Sequence, residues 1–275
     1  MIGKNHRIIT YNALENSMNS SAVKYSTYGN LDSDKAPRKS VKNVTDGYSI
    51  NAQHSNNTSL ADCSNFLSDA NQVVIDDFKE ALKADDSSKD ELYNQAFYDF
   101  GRMIHSIQDF YSHTNWINEN PDGVALWDES ENANIDNPDN FITSHYTQVG
   151  QFFTKIWPFT RKYLDNNYES VYKEGLDSLS HYELNKDEKG TLADELFEKN
   201  EGKSGYELAA QDATEHTKQK WDDILFQLKS SLSDEEYKEL LKDIENFSSE
   251  TDESDEARLE FRKNFNADMK ELADD

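Results

Sequence analysis

The stretch that decides the fold is AFYDFGRMIHSIQDFYSHTNWIN, residues 96–118. Read with the residues before it, it predicts one long helix. Ser88 and Glu91 have the spacing of a capping box. Leu92, Ala96, Phe100, Met103, Ile107 and Phe110 then mark one face through about six turns. His105, Asp109 and His113 follow one another at intervals of four. Each such step advances about 40°, so the three share a second stripe, roughly 200° from the apolar one. Spacing alone leaves two readings open. The second stripe is an ordinary solvent face, or it presents ligands to a metal. Two imidazoles and a carboxylate suit zinc, and a carboxylate between imidazoles can bridge two ions. Three points on one helix cannot surround a metal, so other segments must complete any site.

Working outward, 6–18 and 65–83 show helical spacing, the latter through Phe66, Ala70, Val73, Val74, Phe78 and Leu82. Between them, 19–60 is polar, with Gly29, Pro37 and Gly47, and reads as a long loop. A second loop is expected over 114–140. Residues 141–180 read as helical around Phe152, Ile156, Tyr163 and Tyr172, broken or kinked at Pro158. A polar stretch, 181–205, precedes a helix over 206–229. Ser233 and Glu236 cap a further helix, 234–247, and 254–272 reads as an acidic, peripheral helix. No internal repeat or strong strand pair is evident. The expected fold is mostly α, with long loops over one end. The expected organisation is one helical domain, 1–229, with an acidic C-terminal extension, 230–275, packed on it.

The composition agrees. The chain has 275 residues, with only 10 Gly and 4 Pro, and 12% aromatics to carry the core. Its net charge of −26 repels phosphate backbones and anionic membranes. No nucleic-acid partner is therefore expected. The same charge suits cation binding or simply solubility. The single cysteine, Cys63, excludes an internal disulfide. No apolar run approaches the roughly 20 residues of a membrane span. Ile8-Ile9 is too short for a signal-peptide core. The expectation is a cytoplasmic chain, one already processed, or one exported by a signal-independent route.

Residues 96–118, above all QDFYSHTNW (108–116), closely resemble the central motif of the Het-C family, which looks like a branch of the zinc-dependent phospholipase C superfamily. The resemblance implies a multi-helix fold with two or three zinc ions in a cleft beneath long loops. It assigns His105, Asp109 and His113 to that cluster. KNHRIITYNAL (4–14) resembles the superfamily's N-terminal helix and places His6 as a ligand. In the phospholipases the chain terminus also binds zinc. Met1 lies five residues upstream of His6, so that ligand would require processing or be absent. TDGYSINAQH (45–54) offers Asp46 and His54 for the dinuclear pair, at a shorter spacing than in the phospholipases. LSHYELNKDEKG (179–190) and YELAAQDATEHT (206–217) match a later His and an alanine-rich helix, with Tyr206 standing where a His often leads. For a third ion they offer His181, or alternatively Asp212 with His216. His145 matches no family position and reads as a surface or loop histidine.

The resemblance implies zinc-dependent hydrolysis of a phospholipid phosphodiester bond, with Asp109 and Asp46 in the reacting centre and Asp46 the candidate base. The acidic surface favours a zwitterionic headgroup, met during transient contact with a membrane surface. Trp116 and Trp127 either stack on such a headgroup or are simply buried. Het-C relatives are known for cell recognition and killing. A toxin or effector role follows from that resemblance, with an immunity or regulatory protein over the cleft as the partner it implies. The alternatives are a nuclease or other phosphoesterase of the same superfamily, and a non-catalytic, metal-stabilised recognition module.

Overall fold

The computed structural model describes residues 3–35, 50–56, 58–123, 126–128, 144–145, 179–180 and 184–248, and these are mostly helical. The helices are α1 (Gly3–Leu14), α2 (Ser20–Lys35), α3 (Ile50–Gln53), α4 (Leu60–Lys83), α5 (Lys89–His113), α6 (Trp116–Glu119), α7 (Leu192–Glu201), α8 (Gly205–Ser231) and α9 (Asp234–Asn246). The central element is α5, against which α2, α4 and α8 all pack, while α1 bridges α2 and α8. From Gly101 to Asn115 every residue is buried. The stripe carrying His105, Asp109 and His113 is therefore not a solvent face; it is covered by the neighbouring helices. A helix buried all round is a core helix, and its polar stripe has to find partners inside the protein.

The two halves of α5 do different work. Around its first half, Phe78, Phe97, Phe100 and Trp221 meet edge-on or tilted, with Phe78 and Phe97 5.2 Å apart and Phe100 and Trp221 5.4 Å apart. Each fully buried phenylalanine contributes about 1.5–3 kcal/mol relative to exposure. Around its second half the neighbours of His105, Asp109 and His113 are polar. Apolar packing thus fixes the helix, and the fixed helix holds the polar cluster.

Several expectations need correction. The long loop over 19–60 contains α2 and α3, with 36–49 outside the described residues. The buried residues of α2 mix Ala22, Val23, Tyr25 and Leu31 with Ser26, Thr27, Asn30 and Ser33. Its apolar positions are diluted by polar ones, and the Thr27 and Ser33 hydroxyls donate back into the helix, Thr27 Oγ1 to the Val23 carbonyl at 2.7 Å and Ser33 Oγ to the Gly29 carbonyl at 3.2 Å. The polar stretch 181–205 contains α7, capped by Thr191, whose side chain accepts from the Asp194 amide, and ended by Gly202 at φ 70°. Ser88 does not form the expected capping box. Its own φ and ψ are helical and its side chain makes no cap. The cap is Asp85, whose carboxylate accepts from the Ser87 and Ser88 amides at 3.1 and 3.2 Å. Residues 144–145 and 179–180, at the ends of the stretch read as helical, form a two-residue parallel pair, with Ser144 opposite Leu179; 146–178 lie outside the described residues.

Elsewhere the expected helices have somewhat different ends. The first spans Gly3–Leu14. The second begins at Leu60 behind an Ser59 cap. The Ser233–Glu236 capping box is present in full. After it, Leu240, Ile244 and Phe247 are buried. Asn19 Nδ2 donates to the carbonyls of Ile244 and Phe247 at 2.6 and 2.9 Å, tying α9 to the start of α2. The expected helix over 254–272 lies outside the described residues. No described helix is long and apolar enough to cross a membrane.

Candidate metal centre

Five of the sequence-predicted residues meet. His6 comes from α1, His54 from the turn after α3, and His105, Asp109 and His113 from α5. Two features bring the turn to α5. Ser106 Oγ donates to the Gln53 carbonyl. Ser55 holds a left-handed φ of 49°, uncommon for a residue with a Cβ and found where the chain must turn sharply.

Asp109 is the hub. Its Oδ2 lies 2.9 Å from both His54 Nδ1 and His105 Nε2. Its Oδ1 lies 3.3 Å from His6 Nε2 and 3.8 Å from His113 Nε2. One carboxylate thus faces two pairs of imidazoles with its two oxygens. His6, His105 and Asp109 offer donor atoms that all lie within 4.8 Å of one another, and so do Asp34, His54 and His105. The His6 and His105 rings stack at 4.3 Å and 25°, which turns their Nε2 edges the same way.

Two further carboxylates join the cluster that spacing did not find. Asp34 Oδ1 is 3.7 Å from His105 Nε2, and at 41% exposure it marks the open edge. Asp187 Oδ1 is 2.9 Å from His113 Nε2. The Asp187 segment is held against the end of α5 by the Lys186 amide, which donates to the Ser112 carbonyl at 3.1 Å. The buried Lys186 ammonium donates to the Thr114 and Leu184 carbonyls at 3.2 and 3.1 Å. This places an amine, its pKa pushed down to about 7 by burial, on the carbonyl that caps the end of α5. The signal for Asp187 lay inside the quoted LNKDEKG. Asp34 carried none while α2 read as loop.

Burial pushes the His105 imidazole down to about 4 and lowers His6 as well, so both are neutral at pH 7. Each is tied through Nδ1 to a side-chain amide: His6 to Gln108 Oε1 at 2.7 Å and His105 to Asn30 Oδ1 at 3.1 Å. A neutral imidazole that donates from Nδ1 has a bare lone pair on Nε2. Both Nε2 atoms face Asp109, and His105 Nε2 also lies 3.0 Å from His54 Nδ1. Burial resists charge on Asp109 too, yet the neighbouring histidines, His105 foremost, hold its carboxyl well below the usual carboxylate range. Imidazole nitrogens and a carboxylate converging in a buried space form a set able to hold a cation. His113 differs: burial lowers its pKa, but Asp109 and Asp187 outweigh this and raise it. Its Nδ1 donates to the His54 carbonyl at 2.9 Å.

The remaining nominees lie elsewhere. Asp46 and His181 are outside the described residues. His216 and Asp212, on α8, belong to no group of potential ligands among the described residues. His216 Nδ1 is hydrogen-bonded to Tyr111 Oη at 2.9 Å. That hydroxyl accepts in turn from the Trp127 amide at 3.0 Å. His216 lines a cavity of about 500 Å³ with Trp127, Lys220 and Phe226. Trp127 is buried and stacks on Phe110 at 3.9 Å, so one face of the indole is already covered. Asp212 Oδ2 is buried without a hydrogen-bond partner.

A family model described as the VWA7 N-terminal domain matches residues 18–141, less than half of the chain. The matched part runs from the start of α2 past α6 and so carries Asp34, His54, His105, Asp109 and His113. It excludes His6 and Asp187. That description names neither Het-C nor phospholipase C, and the resemblance to those families rests on the sequence motifs. No curated protein and no solved structure matches the chain significantly.

Proposed function

We propose that this chain is a zinc-dependent phosphodiesterase of the phospholipase C type, acting on zwitterionic phospholipid at a membrane surface in a toxin or effector role. The observation that carries the metal reading is the convergence of imidazole nitrogens from His6, His54, His105 and His113 on the two oxygens of the buried Asp109. The donors divide around that carboxylate. His54, His105 and Asp34 stand on the Oδ2 side, and His6, His113 and Asp187 on the Oδ1 side, so these residues with Asp109 would hold two ions. Imidazole and carboxylate in this proportion favour zinc. Zinc bound there would acidify a water and neutralise phosphate oxygens.

The protein's own groups account for orientation and access. His6, His105 and Asp109 are buried and fixed. Asp34 and His54 are the more exposed donors, so a phosphate would arrive on their side. A carboxylate at that edge can accept a proton from an attacking water. Asp34 has that position among the described residues; Asp46 remains the candidate from the family resemblance.

The near-complete burial of His6, His105 and Asp109 favours a second reading, a metal-stabilised recognition module without catalysis. One experiment separates them. Full-length protein is loaded with zinc, its metal content is measured, and release of phosphorylcholine from phosphatidylcholine vesicles is followed for wild type and Asp109→Ala. Bound zinc with release that Asp109→Ala abolishes is the expected result. Bound zinc without release supports the module. Release unaffected by Asp109→Ala rules out the proposed centre.

A further inference from the structure

We infer that Gln108 and Asn30 are positioning residues that set the tautomers of His6 and His105, and so determine which imidazole nitrogens face the metal. The inference rests on the metal-centre reading above and adds residues to it that touch no ion.

Thr10, Asn30, Gln108 and Thr217, from α1, α2, α5 and α8, are all fully buried. Asn30 Nδ2 donates to Thr10 Oγ1 at 3.1 Å and to Gln108 Oε1 at 3.0 Å. Gln108 Nε2 donates to Thr10 Oγ1 at 3.1 Å and to Thr217 Oγ1 at 3.4 Å. These bonds fix both amides. Turning Asn30 over would set its oxygen against Gln108 Oε1. Turning Gln108 over would set its nitrogen against Asn30 Nδ2. Either flip alone puts like against like and leaves a buried polar group unpaired, so the two amides are locked to one another. In the orientation the structure holds, the amide oxygens face the rings, where they accept the Nδ1 protons of His6 and His105. With the proton on Nδ1, each Nε2 faces Asp109 as a donor for a metal. Four helices supply the network, so the ligand orientation is set by the packing of the bundle.

An apolar residue at 108 would let His6 place its proton on Nε2, against Asp109, where it must be displaced for a metal to bind. Outer partners of this kind typically change metal affinity by about 10–100-fold. A glutamate at 108 would still accept from His6 and Asn30, and the hydroxyls of Thr10 and Thr217 can rotate to donate to it.

The test uses the full chain and zinc ion. Zinc affinity is measured by competition with a chromophoric chelator for wild type, Gln108→Leu and Gln108→Glu. Imidazole 15N spectra of zinc-loaded wild type report which nitrogen carries the proton. The expected result is about 10–100-fold weaker binding for Gln108→Leu, most of it recovered by Gln108→Glu, with His6 and His105 protonated at Nδ1 and metal-bound at Nε2. Unchanged affinity in Gln108→Leu, equal weakening in both variants, or Nε2-protonated rings would overturn it. The spectra decide even if the leucine variant does not fold. Wild type that takes up no zinc overturns the metal reading beneath it, a failure distinct from these.

Discussion

Gly29 of α2 and Gly101 of α5 form a reciprocal close approach. A Cβ on Gly29 would overlap the Tyr98 carbonyl oxygen, and a Cβ on Gly101 would overlap the Ser26 carbonyl oxygen. The two backbones touch where both helices lack a side chain. Asn30 follows Gly29 directly, and His105 lies one turn beyond Gly101, so this approach brings the Asn30 amide to the His105 ring.

Gly101→Ala tests that relationship. Alanine is the better helix former by about 1 kcal/mol, so propensity alone predicts stabilisation. Here the added methyl meets backbone, which cannot rotate away, and α2 must move. The expected outcome is a loss of about 1–3 kcal/mol in urea unfolding of the chelated protein, with weaker zinc binding as Asn30 and Asp34 withdraw. A stabilised variant would mean the helices do not cross this closely.

The two oxygens of Asp109 predict a separable loss of metal. Asp187 pairs with His113 on the Oδ1 side at 2.9 Å, across Asp109 from His54 and His105. Asp187→Asn should therefore lower zinc content by about one ion per chain and spare the other, whereas Asp109→Ala should remove both. Elemental analysis after gel filtration gives the ratio. Equal losses in the two variants would contradict a bridged pair.

Metal should also report on stability, because the ligands come from elements far apart in sequence. His6 and Asp187 lie 181 positions apart in the sequence and come together only in the folded state. Zinc at a thousandfold excess over its Kd adds roughly 4 kcal/mol to the folded state. For a chain of this size that raises the unfolding midpoint by about 10 °C, readable by calorimetry with and without chelator. A midpoint indifferent to zinc would argue against a centre assembled by folding.

The contrast between α5 and α2 explains what the sequence disclosed. Phe97, Phe100, Ile104 and Ile107 announce α5 because its burial is apolar, and the intervals of four in His105, Asp109 and His113 survive as a pattern. Helix α2 is buried through Ser26, Thr27, Gly29 and Asn30, whose composition is that of a loop. Its close packing depends on small side chains, and that dilutes any hydrophobic period. Asp34 was lost with it. His6 and His54 came from family resemblance, since one histidine on a helix or in a turn has no spacing to interpret. Asp187 is set by the Lys186 contacts to the end of α5, a relation between distant segments that local sequence does not encode. Gln108 was in plain view, next to Asp109, but its role depends on three other helices.

Asp212 gives a prediction about pH that is independent of the metal cluster. Its carboxyl is pushed up to about 6 by burial, and Oδ2 has no hydrogen-bond partner. In the unfolded chain the same group ionises near its ordinary value of 3.8. Between those values the folded state holds a proton that the unfolded state has released. Stability therefore falls as pH rises through this window, and the cost is complete above the folded value. The shift corresponds to about 1–3 kcal/mol at neutral pH. Asp212→Asn keeps the shape of the protonated acid and cannot ionise. In chelator it should exceed wild type by about that amount near pH 7.5 and match it near pH 4, as measured by urea unfolding. An advantage that does not depend on pH would show that Asp212 ionises alike in the folded and unfolded chains. If the variant instead lost zinc in the absence of chelator, Asp212 would return as a ligand of a third ion.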